Sequence, residues 1–196
     1  MAVGDPYATL DDLKNYLGMQ EDSRFDASMT QALESVSEEI EQHCNRQFHN
    51  EAAVSARVFR IFVSPFVMVD DFCTDVGLII EQDSGSGTFS VVTDYELQPL
   101  NGVVDGQPGW PYNKIVARSG SFTRGGRLRV TAKWGWTAVP APVKQACLIM
   151  AAATFQIKDA PFGVAGSDQW GSIRVKDNAM AQTKLNRYVV DRILVG

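Results

Sequence analysis

The feature that most constrains this chain is a double change of periodicity. Up to about residue 50 apolar side chains recur every three or four positions, and from Val54 onward they sit in short extended runs rich in Val, Ile, Phe and Thr. Helical spacing returns after Pro140 and Pro142, prolines that end a strand region and are tolerated in a first helical turn. Helices, then strands, then helices give an α+β fold. The expected organisation is an N-terminal helical part over 1–50, an antiparallel β-rich insertion over 51–139, and C-terminal helices over 140–196 that complete one helical core.

The helical elements are specified locally. Thr9 precedes Leu10, Leu13, Tyr16 and Leu17, with Asp12 at the third helical position and Gly18 after the last turn, which is a capping box and a C-terminal stop. Ser28 is the expected cap of a second helix whose Met29, Leu33, Val36, Ile40 and Cys44 step along one face, leaving Glu34, Glu38, Glu39 and Glu41 for water. A third helix carries Val143, Cys147, Met150, Thr154 and Ile157 in one stripe. Ala146, Ile149, Ala153 and Phe155 make its remaining surface apolar too, so it must be covered on nearly every side. The last helix, with Asp177 as its expected cap, puts Ala181, Leu185, Tyr188 and Arg192 together.

Five strands are expected, at Ala56–Val63, Gly77–Gln82, Thr88–Thr93, Lys114–Arg118 and Arg127–Trp134. Short strands following one another pair antiparallel, because parallel neighbours need long crossovers. The run Asp83-Ser-Gly-Ser-Gly87 reads as a hairpin loop.

Length and composition exclude several classes. A chain of 196 residues with 45% hydrophobic and 21% charged residues buries a core of its own, which removes disorder and collagen. The stretch Ala146–Phe155 has ten residues, about half of the ~20 that span a bilayer. The N-terminus has no Lys or Arg before Lys14, unlike a secretion signal, so use without export is expected. Cys44, Cys73 and Cys147 are odd in number and widely spaced, and read as reduced core thiols.

Charge divides the sequence. Residues 1–112 carry 19 acids and 5 bases, and residues 113–196 carry 4 acids and 13 bases. Either the two parts neutralise each other inside one body, or they present faces of opposite sign that favour head-to-tail association of identical copies.

Reactive chemistry finds no motif. His43 and His49, the only histidines, lie six apart without an HExxH-type ligand set, no GxSxG surrounds a serine, and nothing fits GxxxxGK[ST]. Asp70-Asp71 and the pair Asp94 and Glu96 are nominal acid–base candidates, of a kind common on polar surfaces. Arg124, Arg127, Arg129 and Lys133 could gather phosphates, and the same basic last 84 residues contain Trp134, Trp136 and Trp170. Yet Leu128, Val130 and Ala132 alternate with those bases as in an ordinary half-buried strand. The expectation is no enzyme activity, no cofactor and no metal.

The segment 159–176, with Pro161 and glycines at 163, 166 and 171, is long for a loop in a compact domain and reads as a functional arm. Four strings in order now carry a resemblance. They are Tyr7-Ala-Thr-Leu-Asp-Asp-Leu-Lys-Asn-Tyr-Leu17, Ile40-Glu-Gln-His-Cys-Asn-Arg46, Ala132-Lys-Trp-Gly-Trp-Thr-Ala-Val-Pro140 with Val143-Lys-Gln-Ala146, and Asp159-Ala-Pro-Phe-Gly-Val-Ala-Gly166 with Ile173-Arg-Val175. Together they resemble the head-tail connector (adaptor) proteins of long-tailed bacteriophages, at both ends of the chain and little in 51–131. Asn45-Arg46 stands where such proteins often have Gly-Arg.

The resemblance implies a structural virion protein at the head-tail junction, assembled in the host bacterial cytoplasm. It would form a ring, commonly of twelve copies, beneath the portal, extend the DNA channel and dock the next connector or tail component. DNA would pass through without sequence-specific binding, and no membrane is involved. Within that role the arm is the expected portal contact, with Phe162, Trp170 and Ile173 as anchors and Arg174 and Lys176 as charged contacts. The alternatives are a tail-completion or stopper protein of the same particle and, from another class, a β-rich hydrolase or carbohydrate-binding module.

Overall fold

The computed structural model describes residues 4–159 and 178–190. It is an α+β fold with an antiparallel β-rich insertion, and its chain divides into two compact units. Unit 1 takes the chain up to Arg46 and again from Val139 to Val189, and unit 2 takes Gln47–Ala138.

Unit 1 is helical. Helix α1, Leu10–Leu17, starts where expected: Thr9 accepts from the Asp12 N–H, the Asp12 carboxylate takes the Thr9 N–H, and Gly18 closes the helix in the left-handed region. Helix α2, Asp26–Cys44, begins earlier than Ser28. Its N-cap is Phe25, which offers no side-chain oxygen, and Asp26 supplies an acid in the first turn. Met29, Leu33, Val36, Ile40 and Cys44 are all buried, as their spacing requires. On its other face Glu34 and Glu38 are exposed. Glu41 is half-buried instead, because Tyr7 Oη donates to its carboxylate at 2.5 Å.

Helix α3, Ala141–Asp159, packs against α1, α2 and α4, which answers its all-round apolar surface: it is the central helix of its unit. Val143, Ala146, Cys147, Met150, Ala151 and Phe155 are buried on it. Helix α4, Ala179–Leu185, is capped by Asn178 rather than Asp177: the Asn178 side chain accepts from the Ala181 N–H. A 3₁₀ turn, Asn186–Tyr188, follows, and Ala181, Leu185 and Tyr188 face inward.

Unit 2 holds seven strands in two antiparallel sheets: β1 Ser55–Arg60, β2 Phe66–Phe72, β3 Ile79–Asp83, β4 Ser90–Val91, β5 Tyr95–Gln98, β6 Tyr112–Ala117 and β7 Arg127–Ala132. One sheet has the order β1-β7-β3-β4 and the other β2-β6-β5. Phe59, Ile80, Leu128 and Val130 from the first sheet meet Val67, Val69, Phe72 and Ile115 from the second in one core, closed by Trp134. Strands β2 and β5 are additional to the five expected from sequence.

The charge boundary near Tyr112 falls at the first residue of β6, inside unit 2. By sequence, unit 1 contains 13 acids and 9 bases and unit 2, with the C-terminal residues 190–196, 10 acids and 9 bases. Opposite charges therefore mix within each unit, and the contrast along the sequence is not a contrast between bodies.

Candidate functional site

The polar groups that sequence reasoning nominated for chemistry are occupied in holding the fold. On β2, Asp70 takes Arg57 Nη1 at 2.5 Å, while Asp71 is buried and accepts from the Trp136 indole at 2.8 Å. Adjacent strand residues point to opposite faces, so these two carboxyls do not converge. Asp94 accepts from the Ser119 N–H and hydroxyl, and Glu96 accepts from Gln98. Among the described residues no three His, Cys, Asp or Glu side chains are grouped to hold a metal ion, and no helix is long and apolar enough to cross a membrane.

The basic strand is likewise engaged. On β7, Leu128, Val130 and Ala132 point into the core, and Arg127 and Arg129 point outward to Asp83 and Glu81 on β3, each at 2.6 Å. The Arg129 guanidinium bonds both Glu81 oxygens and lies 4.3 Å from the Phe89 ring centre. These contacts hold the Glu81 and Asp83 carboxyls below the usual carboxylate range, the arginine hydrogen bond being the leading cause in each case. Trp134 and Trp136 are buried and unavailable for base stacking.

What the outward face does offer is exposed apolar surface. Beside the ion pairs, Val58, Ile79 and Val91 stand exposed on β1, β3 and β4, and Phe62 follows β1 with 54% of its surface in solvent. A cleft of about 480 Å³ opens at the end of this sheet where β1 finishes and β7 begins. Val58 and Arg60 of β1, Arg127 of β7, Asp83 of β3 and the glycines Gly85, Gly125 and Gly126 line it.

At the far end of unit 2, the link between β5 and β6 forms a small projecting arm. Val104 and Gln107 exchange backbone hydrogen bonds at 3.0 and 2.9 Å around Asp105-Gly106, whose φ values of 49° and 75° give a two-residue hairpin turn. The Trp110 N–H to Gly102 carbonyl bond, 3.0 Å, closes the base of the arm. Leu100 and Val103 are exposed on it. Sequence reasoning missed this arm, although Asp105-Gly106 is the residue pair that marks such a turn.

The expected portal contacts Phe162, Trp170, Ile173, Arg174 and Lys176 lie outside the described residues, as does most of the 159–176 arm.

No known family model matches the sequence, and no curated protein matches it significantly. Solved structures do match in fold. A chain in the neck of an empty gene transfer agent (GTA) particle, computed with C6 symmetry, aligns with a TM-score of 0.59 at 16% identity, covering 100% of this chain and 96% of that one. A chain in the neck of the native GTA particle, computed with C12 symmetry, gives 0.54 at 16% identity with the same coverage. A chain of the native GTA virion gives 0.55 at 15%. At these identities the likeness establishes a shared fold, and it runs from end to end of both chains.

Proposed function

We propose that this chain is a structural component of the neck of a phage-like particle: an adaptor that assembles as a ring beneath the portal, continues the DNA channel and docks the next connector or tail protein. The observation that carries this reading is the end-to-end fold likeness to chains of GTA necks, helical unit and β insertion together. Its ring would be built from identical copies meeting through unlike surfaces. Engagement of the nominated catalytic carboxylates in structural bonds agrees with a role without bond-making chemistry.

Within that reading the 159–176 segment is the portal-binding arm, through Phe162, Trp170 and Ile173 with Arg174 and Lys176 beside them. The test is reconstruction of particles assembled with and without the gene. A ring of this chain in contact with the portal is the expected density, and particles lacking the chain should carry no tail. A position below another ring would instead assign it as a stopper, and absence from finished particles would overturn the neck role. Deleting residues 162–174 should abolish portal attachment and leave the thermal unfolding midpoint in place.

A further inference from the structure

A closed ring requires each copy to carry two different, mutually complementary surfaces at opposed positions, and unit 2 carries such a pair. The cleft and the arm lie at opposite ends of it. At the cleft end, Arg60 faces Arg127 and Phe66 faces Val116, with the Gly125 and Phe122 amides bonded to Ile61 and Ser64 in the short link from β1 to β2. At the other end, Ser55 faces Ala132, Phe72 faces Tyr112 and Gln98 faces Lys114, with the Cys73 amide bonded to Lys133, and from there the arm departs.

Each end also leaves a charge unmatched. Arg60 and Arg127 are direct cross-strand partners, a repulsive placement that Asp83 relieves for Arg127 alone. Arg60 is exposed and makes no hydrogen bond or ion pair among the described residues. Asp105, at the tip of the arm, is exposed and equally without a partner among them. Apolar groups flank both: Val58 and Phe62 near Arg60, Leu100 and Val103 near Asp105, each exposed.

We propose that the arm of one copy, residues 99–109, docks into the Arg60 cleft of the next copy, with Asp105 pairing to Arg60 and Leu100 and Val103 covering Val58 and Phe62. This rests on the ring reading above and names the surfaces that build the ring. The arm is already folded by its own backbone bonds, so little ordering entropy is lost on docking. The glycines at the cleft edge remove the side chains that would keep a hairpin tip from approaching backbone. An acid entering beside Arg60 also neutralises the arginine pair that the isolated chain leaves half compensated.

The experiment is a charge swap in the full chain, read by sedimentation velocity and mass photometry across concentration, with negative-stain images of the assembled fraction. R60D and D105R should each weaken self-association roughly tenfold or more, and the double variant should recover most of it, because the pair is re-formed with reversed sign. R60Q and D105N serve as milder forms, and the thermal midpoint of every variant establishes that it folds. Rings that assemble equally well in wild type and in both single variants would overturn this interface while keeping the ring. A double variant no better than the singles would also overturn the pairing. A wild-type chain that stays monomeric at millimolar concentration, and on an added portal ring, would overturn the interface and the ring together.

Discussion

Arg127 donates from both Nε and Nη2 to one oxygen of Asp83, at 3.1 and 2.6 Å, and the other oxygen of the same carboxylate takes the backbone N–H groups of Gly85 and Gly87 at 2.8 and 3.0 Å. One side chain, 1% exposed, thereby ties β3 to β7 and shapes the loop that leads to β4. Asp83→Ala removes four hydrogen bonds at once. It should lower the unfolding midpoint by more than Asp94→Ala, whose carboxylate serves the exposed Ser119. Thermal scans of the two variants decide the order.

On α3, Lys144 reaches Asp12 of α1 at 2.8 Å, and this hydrogen bond, followed by those from Thr9, holds the Asp12 carboxyl at about 2, below its ordinary 3.8. A depressed pKa means that the folded state binds its proton more weakly than the unfolded chain does. The stabilisation is complete above pH 4 and disappears as the pH falls from about 4 to 2. Lys144→Met should therefore cost about 1 kcal/mol at pH 7, screening included, and almost nothing at pH 2. Urea unfolding at the two pH values measures the difference.

Gly135 has a φ of 98°, and a β-carbon there would lie 1.5 Å from the His49 carbonyl oxygen, with which the neighbouring Trp136 N–H bonds at 3.1 Å. Gly120 has a comparable φ of 77° and open space around it. Gly120→Ala should cost about 1 kcal/mol from the left-handed backbone alone. Gly135→Ala should cost more than about 3 kcal/mol, because backbone must move. Equal losses in denaturant titrations would contradict the collision.

Burial pushes the Cys44 thiol up to about 12 from 9.0 and raises that of Cys147 as well, whereas Cys73 is only half-buried. Raised values keep these core thiols protonated in the folded state. Their contribution to stability is intact below pH 9 and declines as the pH rises beyond it. Thiol titration of the native protein at pH 8 should reach Cys73 first, with Cys44 and Cys147 reacting only after denaturant is added.

The helices were legible because their signals are local: Thr9 with Asp12, the step of apolar residues from Met29 to Cys44, and the prolines at the start of α3. Strand β2 was not, since Asp70-Asp71 near its end place two charges side by side where a strand would alternate. The buried Asp71 accepts from the indole of Trp136, distant in sequence, and that bond offsets part of the cost of its burial. Tyr95-Glu-Leu-Gln98 alternates apolar and polar residues over four positions only, too short a run to mark β5. The cap at Asn178 instead of Asp177 and the cap of α2 at Phe25 instead of Ser28 are shifts of one and three residues, which local cues do not resolve. The cleft joins Val58 and Arg60 to Asp83 and Arg127, an adjacency that arises only from strand pairing and cannot be read from spacing.

The chain leaves its helical unit after Arg46 and comes back at Val139. During synthesis, α1 and α2 therefore emerge with Leu33, Val36 and Ile40 uncovered and wait for α3 while some ninety residues are made, about 5–20 seconds at ordinary rates of translation. Throughout that interval the growing polypeptide exposes a greasy ridge that a ribosome-bound chaperone would shield, so the nascent helices depend on cellular guardianship more than the finished molecule does.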